Sequence, residues 1–307
     1  MTSLIRRIAC LLVALLFPFA VTASDVGLVP VPSTRAQPAA DAAFPALWKV
    51  SDEDTTIYLF GTIHALPEGI EWFGGPVEKA FDGSQELVTE IVEGEPAAVQ
   101  KLVLEKAMLP GGQTLRAMLT PAQRASYEGA LGKIGMPPAA FDRFEPWFPA
   151  INLVVLSLKQ EGYSSLNGVE ATLDSKARAL GRPHAALETI EYQLSVFDSL
   201  PVETQKRYLA AVVDQLPNAA SDVGKMVDAW RKGDAERLAM LMNADEDDPE
   251  IIEALLTNRN RAWSRWIRDR LAKPGTVFVA VGAGHLGGPG SVQDQLAALG
   301  IASTRVQ

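Results

Sequence analysis

Cysteine, histidine and positive charge are all scarce in this sequence. Its 307 residues include one Cys and three His, and 28 Lys and Arg stand against 37 Asp and Glu, for a formal charge of −9. The single cysteine, Cys10, lies close to the start, so the chain beyond it has no disulfide framework, no thiol nucleophile and no Cys-ligated zinc. No run of Lys or Arg forms a stripe, which sets aside nucleic acid, a partner that needs a basic patch. Long apolar runs are missing too. The main one, residues 8–20, has 13 residues, short of the ~20 that a membrane span needs. No solenoid repeat is visible.

Apolar residues nevertheless make up 48% of the chain, enough for a full core and against disorder. The length suits one large domain or two modest ones. The start has the form of a secretory signal. Arg6 and Arg7 make a positive segment, residues 8–20 an apolar one, and Val21-Thr22-Ala23 presents small residues where a signal peptidase cuts. Cleavage after Ala23 removes two positive charges and takes the formal charge from −9 to −11. An uncleaved N-terminal anchor is the other outcome, and the flanks of Arg6-Arg7 fit a twin-arginine signal poorly. Cys10 precedes most of the apolar run, whereas a lipoprotein cysteine follows it. The expected division is a signal peptide 1–23, a Pro- and Ala-rich linker 24–44 and a folded domain 45–307, located in the periplasm or secreted. Membrane contact is expected only through an uncleaved N-terminal segment.

Within the domain, Leu47-Trp48-Lys49-Val50 and Thr56-Ile57-Tyr58-Leu59-Phe60 flank a polar turn and read as a β-hairpin. Residues 86–92 read as a short buried strand and 96–180 as mainly helical, with Thr120-Pro121 a helix start and Gly181 a helix end. A strand at 184–187 precedes helices at 191–216 and 222–242. The acidic run 245–248 reads as a solvated loop or helix start before a helix at 249–271. A strand at 276–281, a helix at 291–299 and a strand at 302–306 follow. This order predicts an α/β or α+β domain, a central mixed sheet with flanking helices and a largely helical middle insertion.

Two of the three histidines share one local pattern. Leu59-Phe60-Gly61-Thr62-Ile63-His64 is a buried strand that breaks at glycine into a loop carrying His, and Ala280-Val281-Gly282-Ala283-Gly284-His285 repeats it 221 residues later. Strand ends of α/β sheets are where ligands bind, and glycine permits a sharp turn there. A neutral imidazole is a metal ligand or an acid/base near neutral pH. A metal site needs at least one further ligand. Glu90, in the otherwise apolar Leu87-Val88-Thr89-Glu90-Ile91-Val92, is the first candidate, because a carboxylate there is costly unless paired or metal-bound; the alternative is a solvent-facing strand-end residue. Glu188 suits a carboxylate supporting the ligands, a catalytic base or a helix cap, with Gln193 one turn beyond. Glu170 complements a helix N-terminus or acts in catalysis. Arg259 and Asn260 lie within about a turn of the stripe Leu255, Leu256, Trp263 and Trp266, so one of them is expected to point inward. The six Trp are most simply core or groove lining.

Taken in order, Leu47-Trp48-Lys49-Val50, Gly61-Thr62-Ile63-His64, the Glu90 strand, Gly168-Val169-Glu170, Leu187-Glu188-Thr189 with Gln193, Arg259-Asn260 and Val281-Gly282-Ala283-Gly284-His285-Leu286 resemble the TraB/PrgY/GumN family, closest to its GumN-like bacterial branch. Its animal relatives are the Tiki membrane proteases. The resemblance spans nearly the whole domain from residue 46. Singly these motifs are weak, and the ordered set is specific. It implies a Tiki- and erythromycin-esterase-like fold and a divalent-metal-dependent hydrolase, a peptidase first, using manganese, cobalt or zinc. Carried over, His64 and His285 are ligands, Glu90 a ligand or base, and Arg259 and Asn260 hold substrate or a developing oxyanion. Glu170 and Glu188 match family positions whose roles the resemblance does not separate. The chain has no C-terminal transmembrane helix such as several relatives carry. A non-catalytic periplasmic binding protein, or an accessory to polysaccharide assembly using the same pocket, is the alternative.

Overall fold

A computed structural model describes residues 44–243 and 248–307. The expected signal peptide, the expected linker apart from Phe44, and Asp245, Glu246 and Asp247 of the acidic run lie outside the described residues. Along the chain come β1 (Leu47–Ser51), β2 (Thr55–Thr62), β3 (Leu66–Pro67), α1 (Gly75–Asp82), β4 (Glu86–Thr89), α2 (Pro96–Ala107), α3 (Leu115–Met118), α4 (Pro121–Lys133), α5 (Trp147–Gln160), β5 (Tyr163–Ser164), α6 (Val169–Ala179) and β6 (His184–Ala186). Then follow α7 (Ile190–Asp198), α8 (Val202–Gln215), α9 (Ala219–Arg231), α10 (Ala235–Asn243), α11 (Pro249–Ile252), α12 (Asn258–Leu271), β7 (Gly275–Gly282), α13 (Val292–Ala298) and β8 (Thr304–Arg305).

Six strands form one mixed sheet in the order β6-β4-β7-β2-β1-β8. The first four run parallel, while β1 and β8 add antiparallel edges. The parallel centre follows from the sequence: Val277, Val279 and Val281 of β7 alternate with Phe278 and Ala280, and each set is buried. Alternation sends the two sets to opposite faces. On one face the three valines meet Ile57, Leu59, Val88, Trp263, Ile267, Val292 and Leu296, so α12 and α13 cover that side. On the other, Phe278 and Ala280 join Phe60 and Leu87 in a larger core with the helices of the middle insertion. Phe60, Trp72, Trp230 and Phe278 pack ring against ring there, with centroids 5.6–6.3 Å apart. The expected mixed sheet with flanking helices is therefore the fold. No described helix is long and apolar enough to cross a membrane.

Several expected elements are divided. The stretch 191–216 breaks at Pro201 into α7 and α8, because Pro cannot supply the helical N–H. The stretch 222–242 breaks at Gly233, whose φ of 69° suits glycine. Within 249–271 a π-helical turn, Glu253–Thr257, separates α11 from α12. The strand expected at 302–306 shrinks to two residues.

Candidate functional site

Four parallel strands end at one edge of the sheet, and each delivers a candidate residue there. β2 leads to His64, β7 to His285, β4 to Glu90 and β6 to Glu188. Glu90 is thus the first residue past its strand, not within it. Neither turn glycine is needed for left-handed backbone: Gly61 is in extended β2, and Gly282 has φ −48°. Gly61 instead lets the two turns touch, since a Cβ there would lie 3.1 Å from the Ala283 Cα. Gly282 gives its N–H to Glu90 Oε1 at 2.7 Å.

Arg259 organises this edge. Its Nε donates to Glu188 at 2.9 and 3.1 Å, and one terminal nitrogen donates to Glu90 Oε2 at 2.5 Å and Glu188 Oε2 at 2.9 Å. The other faces the Leu255 carbonyl at 3.2 Å and His285 Nε2 at 3.3 Å. A guanidinium has five N–H donors, and these contacts engage every nitrogen. Burial opposes the Arg259 charge, but Glu90 and Glu188 outweigh it and hold its pKa above the usual value. Gln193 Nε2 donates to the same two carboxylates at 3.1 and 3.0 Å, and Trp263 Nε1 donates to Glu188 Oε1 at 2.8 Å. Glu188 does not cap α7. Thr189 does so, accepting from the Tyr192 N–H. The π turn shifts the helical phase ahead of Asn258, and both Arg259 and Asn260 face inward instead of one of them.

The two imidazoles are each held through Nδ1, and their pKa values shift in opposite directions. His285 is fully buried, with Nδ1 2.5 Å from Asn260 Oδ1. An amide oxygen only accepts, so Nδ1 carries the proton and Nε2 is an acceptor. Asn260 Nδ2 donates to the Gly290 carbonyl at 2.8 Å, so both ends of its amide are engaged. Burial, then the charges of Arg259 and His64, push the His285 pKa well below the usual range, and the ring is neutral. His64 has Nδ1 2.6 Å from Glu170 Oε1. Its Nε2 is buried without a hydrogen-bond partner. Burial pushes its pKa down, but Glu170 beside it more than reverses that, and the net shift is upward. Glu170 shifts the other way, because His64 outweighs the effect of burial.

Glu170 reaches His64 because α6 starts hard against the first turn. The Val169 N–H donates to the Ile63 carbonyl at 3.1 Å, and a Cβ on Gly168 would lie 2.1 Å from the His64 carbonyl oxygen. Only glycine permits that approach. Helix α6 also carries Asp174, 2.9 Å from Nδ1 of His184, whose Nε2 meets Thr89 Oγ1 at 2.7 Å. The third histidine thus ties α6 to the sheet and stands apart from the group around Arg259.

The structure brings Glu90, Glu188, Gln193, Arg259, Asn260, His285 and Gly282 into one bonded cluster, with Gly61 and His64 on the neighbouring turn and Glu170 on the first turn of α6 beside it. This order of motifs along the chain also decides its kinship, for the TraB/PrgY/gumN pattern matches residues 46–305. The chain belongs to the TraB/PrgY/gumN family. Among its relatives are an uncharacterized protein of Treponema pallidum, 24% identical over 264 residues (80% of this chain, 78% of that one), and the uncharacterized protein YbaP of Escherichia coli, 23% identical over 244 residues (78% and 87%). The YbaP of Shigella flexneri is 25% identical over the same length. No solved structure matches the chain significantly. Two residues that touch the candidate site carry no site role in the sequence reading: Trp263 is there only part of a buried stripe, and Gly168 only part of the Gly168-Val169-Glu170 motif. Trp263 stands four residues after Arg259, one turn along the same face, a spacing that could have found it. Nothing in the sequence signals that Gly168 touches His64.

A divalent ion fits this site in donor chemistry. His64 Nε2 is an orphaned buried lone pair, His285 is a neutral ring whose Nδ1 is fixed by a carbonyl oxygen, and Glu90 Oε1 stands 3.9 Å from His285 Nε2. An oxygen on the far ring nitrogen is the usual support for a ligating histidine. Convergence is incomplete: among the described residues no three His, Cys, Asp or Glu groups are set around one point, and Arg259 holds Glu90 Oε2 and also faces His285 Nε2 at 3.3 Å.

Proposed function

We propose that this family member is a hydrolase acting on an amide or ester carbonyl, a peptidase first, with a divalent cation (manganese, cobalt or zinc) held by Nε2 of His64, Nε2 of His285 and Glu90. The observation that carries this reading is the buried, partnerless Nε2 of His64, on a ring fixed by Glu170 at the carboxyl end of four parallel strands. Bound there, the ion would supply carbonyl polarisation and acidify water. The protein's own groups divide the rest. Glu90 Oε1, 3.9 Å from His285 Nε2, would complete the ligand set or, standing off the ion, take a proton from attacking water. Glu188, engaged by Arg259, Trp263 and Gln193, holds Arg259 in place. Arg259 contributes positive charge to a dry site, where developing anions gain most. Asn260 fixes the His285 tautomer instead of holding the oxyanion.

A second reading is favoured by Arg259 itself, which stands among Glu90, Glu188 and His285 Nε2, where a cation would be wanted. In that reading His64, its pKa raised by Glu170, is the general base and the guanidinium the fixed cation. The deciding experiment strips the purified protein with chelator, reloads it with manganese, cobalt or zinc, and measures bound metal and turnover of a peptide library. The first reading expects about one ion bound by wild type, loss of binding in His64→Ala and His285→Ala, and turnover only when loaded. Turnover without metal selects the second reading. No turnover under any condition would leave a binding protein and sink both. The signal-like pattern of residues 1–23 supports export to the periplasm or beyond; an intact Met1 on protein recovered from cells would refute cleavage after Ala23.

A further inference from the structure

Glu90 leaves the end of β4 with a different environment on each face of the sheet. Val88 packs with the residues under α12, and Leu87 with the larger core on the opposite face. Alternation puts Thr89 on the Leu87 side, while Glu90 emerges toward α12, where Arg259 meets it. Thr89 is therefore the back of Glu90. A row of side chains reaches that back from α6. His184 of β6 pairs with Leu87, so its ring lies on the Leu87 face and extends forward to Thr89. Its Nε2 meets Thr89 Oγ1 at 2.7 Å, and Oγ1 donates to the Ile91 carbonyl, also at 2.7 Å. The bond to Ile91 spans Glu90 and fixes the residues on either side of it. Asp174 Oδ1 accepts from Nδ1 of the ring at 2.9 Å, and Arg178 Nε holds the other Asp174 oxygen at 2.9 Å.

Thr89 is 3% exposed, and a buried hydroxyl is satisfied by one carbonyl. A second partner, an imidazole itself held by a carboxylate, adds orientation. The hydroxyl has one hydrogen and two lone pairs, so Oγ1 stays tied to the ring whether its hydrogen goes to Ile91 or to Nε2. The main chain is fastened as well, for the N–H groups of Leu187 and Glu188 donate to the carbonyls of Thr89 and Glu90 at 2.9 and 2.8 Å. Helix α6 thereby reaches both halves of the candidate site. Glu170 and Asp174 are four residues apart, one turn along one face. Each takes the Nδ1 of a histidine, His64 at 2.6 Å and His184 at 2.9 Å. We propose that Asp174 and His184 are positioning residues: acting through Thr89, they set the Glu90 carboxylate from the opposite face of the sheet and tie it to the helix that orients His64.

This inference rests on the reading of Glu90 as a working group of the site, and its test needs neither metal nor turnover. The Gly282 N–H, 2.7 Å from Glu90 Oε1, reports where that carboxylate stands, and Val279, paired with Val88, reports the sheet itself. Amide spectra of ¹⁵N-labelled full-length protein are compared for wild type, Glu90→Gln, His184→Leu, Thr89→Val and Thr89→Ser. Glu90→Gln should move the Gly282 amide proton upfield, and His184→Leu and Thr89→Val should move it at least half as far in the same direction. Val279 should stay in place, and Thr89→Ser should keep the wild-type position. Thr89→Val preserves shape and β-branching, so it tests the hydroxyl even if His184→Leu fails to fold. A Gly282 proton unmoved in Thr89→Val, whatever happens to melting, would mean that the row only holds the fold, and overturns the proposal. An equal shift at Val279, or no response to Glu90→Gln, overturns it as well. If wild type binds manganese, Thr89→Val should weaken binding about 10–100-fold, as loss of an outer partner of a ligand does. Wild type that binds none, with Gly282 moving as expected, supports the positioning role and counts against the metal alone.

Discussion

Replacing Arg259 by methionine removes the positive charge from between Glu90 and Glu188, whose side chains are only 6% and 5% exposed. The two carboxylates share that guanidinium, and among the described residues no other Lys or Arg pairs with either of them. A unit-charge pair at 4 Å interacts by about 4 kcal/mol at an effective dielectric of 20. Breaking a buried pair by deleting one partner costs about 3–5 kcal/mol, because the other charge stays desolvated. With roughly 2–4 °C of melting temperature per kcal/mol in a chain of this size, Arg259→Met should melt about 10 °C below wild type. The sharper expectation is the cycle. Glu90→Gln in the Arg259→Met background removes one stranded charge and should recover part of the loss, a coupling of about 1–3 kcal/mol. Arg259→Lys, keeping charge but not the fork, should fall between. Thermal unfolding followed by circular dichroism measures wild type, Arg259→Met, Glu90→Gln, the double variant and Arg259→Lys. If Arg259→Met melts within a degree of wild type, or Glu90→Gln makes it worse, the cluster is not an electrostatic unit and the assignment of Arg259 as its organiser fails.

Three further outcomes follow from other parts of the molecule. Gly168→Ala sets a Cβ 2.1 Å from the His64 carbonyl and should destabilise by about 1–3 kcal/mol, whereas Gly111→Ala, with nothing within 4 Å of the new atom, should be close to neutral; equal melting of the two variants would refute the close approach. Nitrogen-15 spectra should show His285 as the Nδ1–H tautomer, and Asn260→Ala should mix the tautomers; a single Nε2–H form in wild type would contradict the Asn260 contact. In the helical insertion, hydrogen bonds from Arg116 hold the Asp142 pKa low, and those from Arg124 and Arg116 do the same for Glu128. Depressed carboxylates stabilise the fold above their unfolded values, near pH 4, and lose that contribution as pH falls through the folded ones. Arg116→Met should therefore melt with a shallower pH dependence below about pH 4 than wild type, and identical curves would show that the network contributes nothing there.

The sheet was legible because its strands alternate or run fully apolar, and the two turns because the pattern ends in Gly-x-x-His both times. The value of each carboxylate was not. Glu90 and Glu188 look alike in sequence, each a lone acid closing an apolar strand, and their difference lies in which donors surround them: a backbone N–H for Glu90, an indole for Glu188. Those donors come from residues tens to nearly two hundred positions away, which local patterns do not connect. Asn260 shows the same limit in reverse. Its neighbour Arg259 suggested a shared substrate role, but a π turn that no residue type announces aims the amide at His285 and Gly290. Reading helix ends from Pro and Gly worked where those residues break a helix, as at Gly181, and failed at 191–216, where Pro201 lay inside an otherwise continuous pattern.

The pairing of β2 with β7 also sets when the site can exist. These neighbours in the sheet are joined only after more than two hundred intervening residues have been made, and contacts so distant in sequence form late and slowly. A growing chain therefore holds His64 and Glu90 with no partner turn and no Arg259. The cluster around Arg259 is complete only when the last third of the polypeptide has arrived, so an incomplete molecule carries its parts but not its geometry.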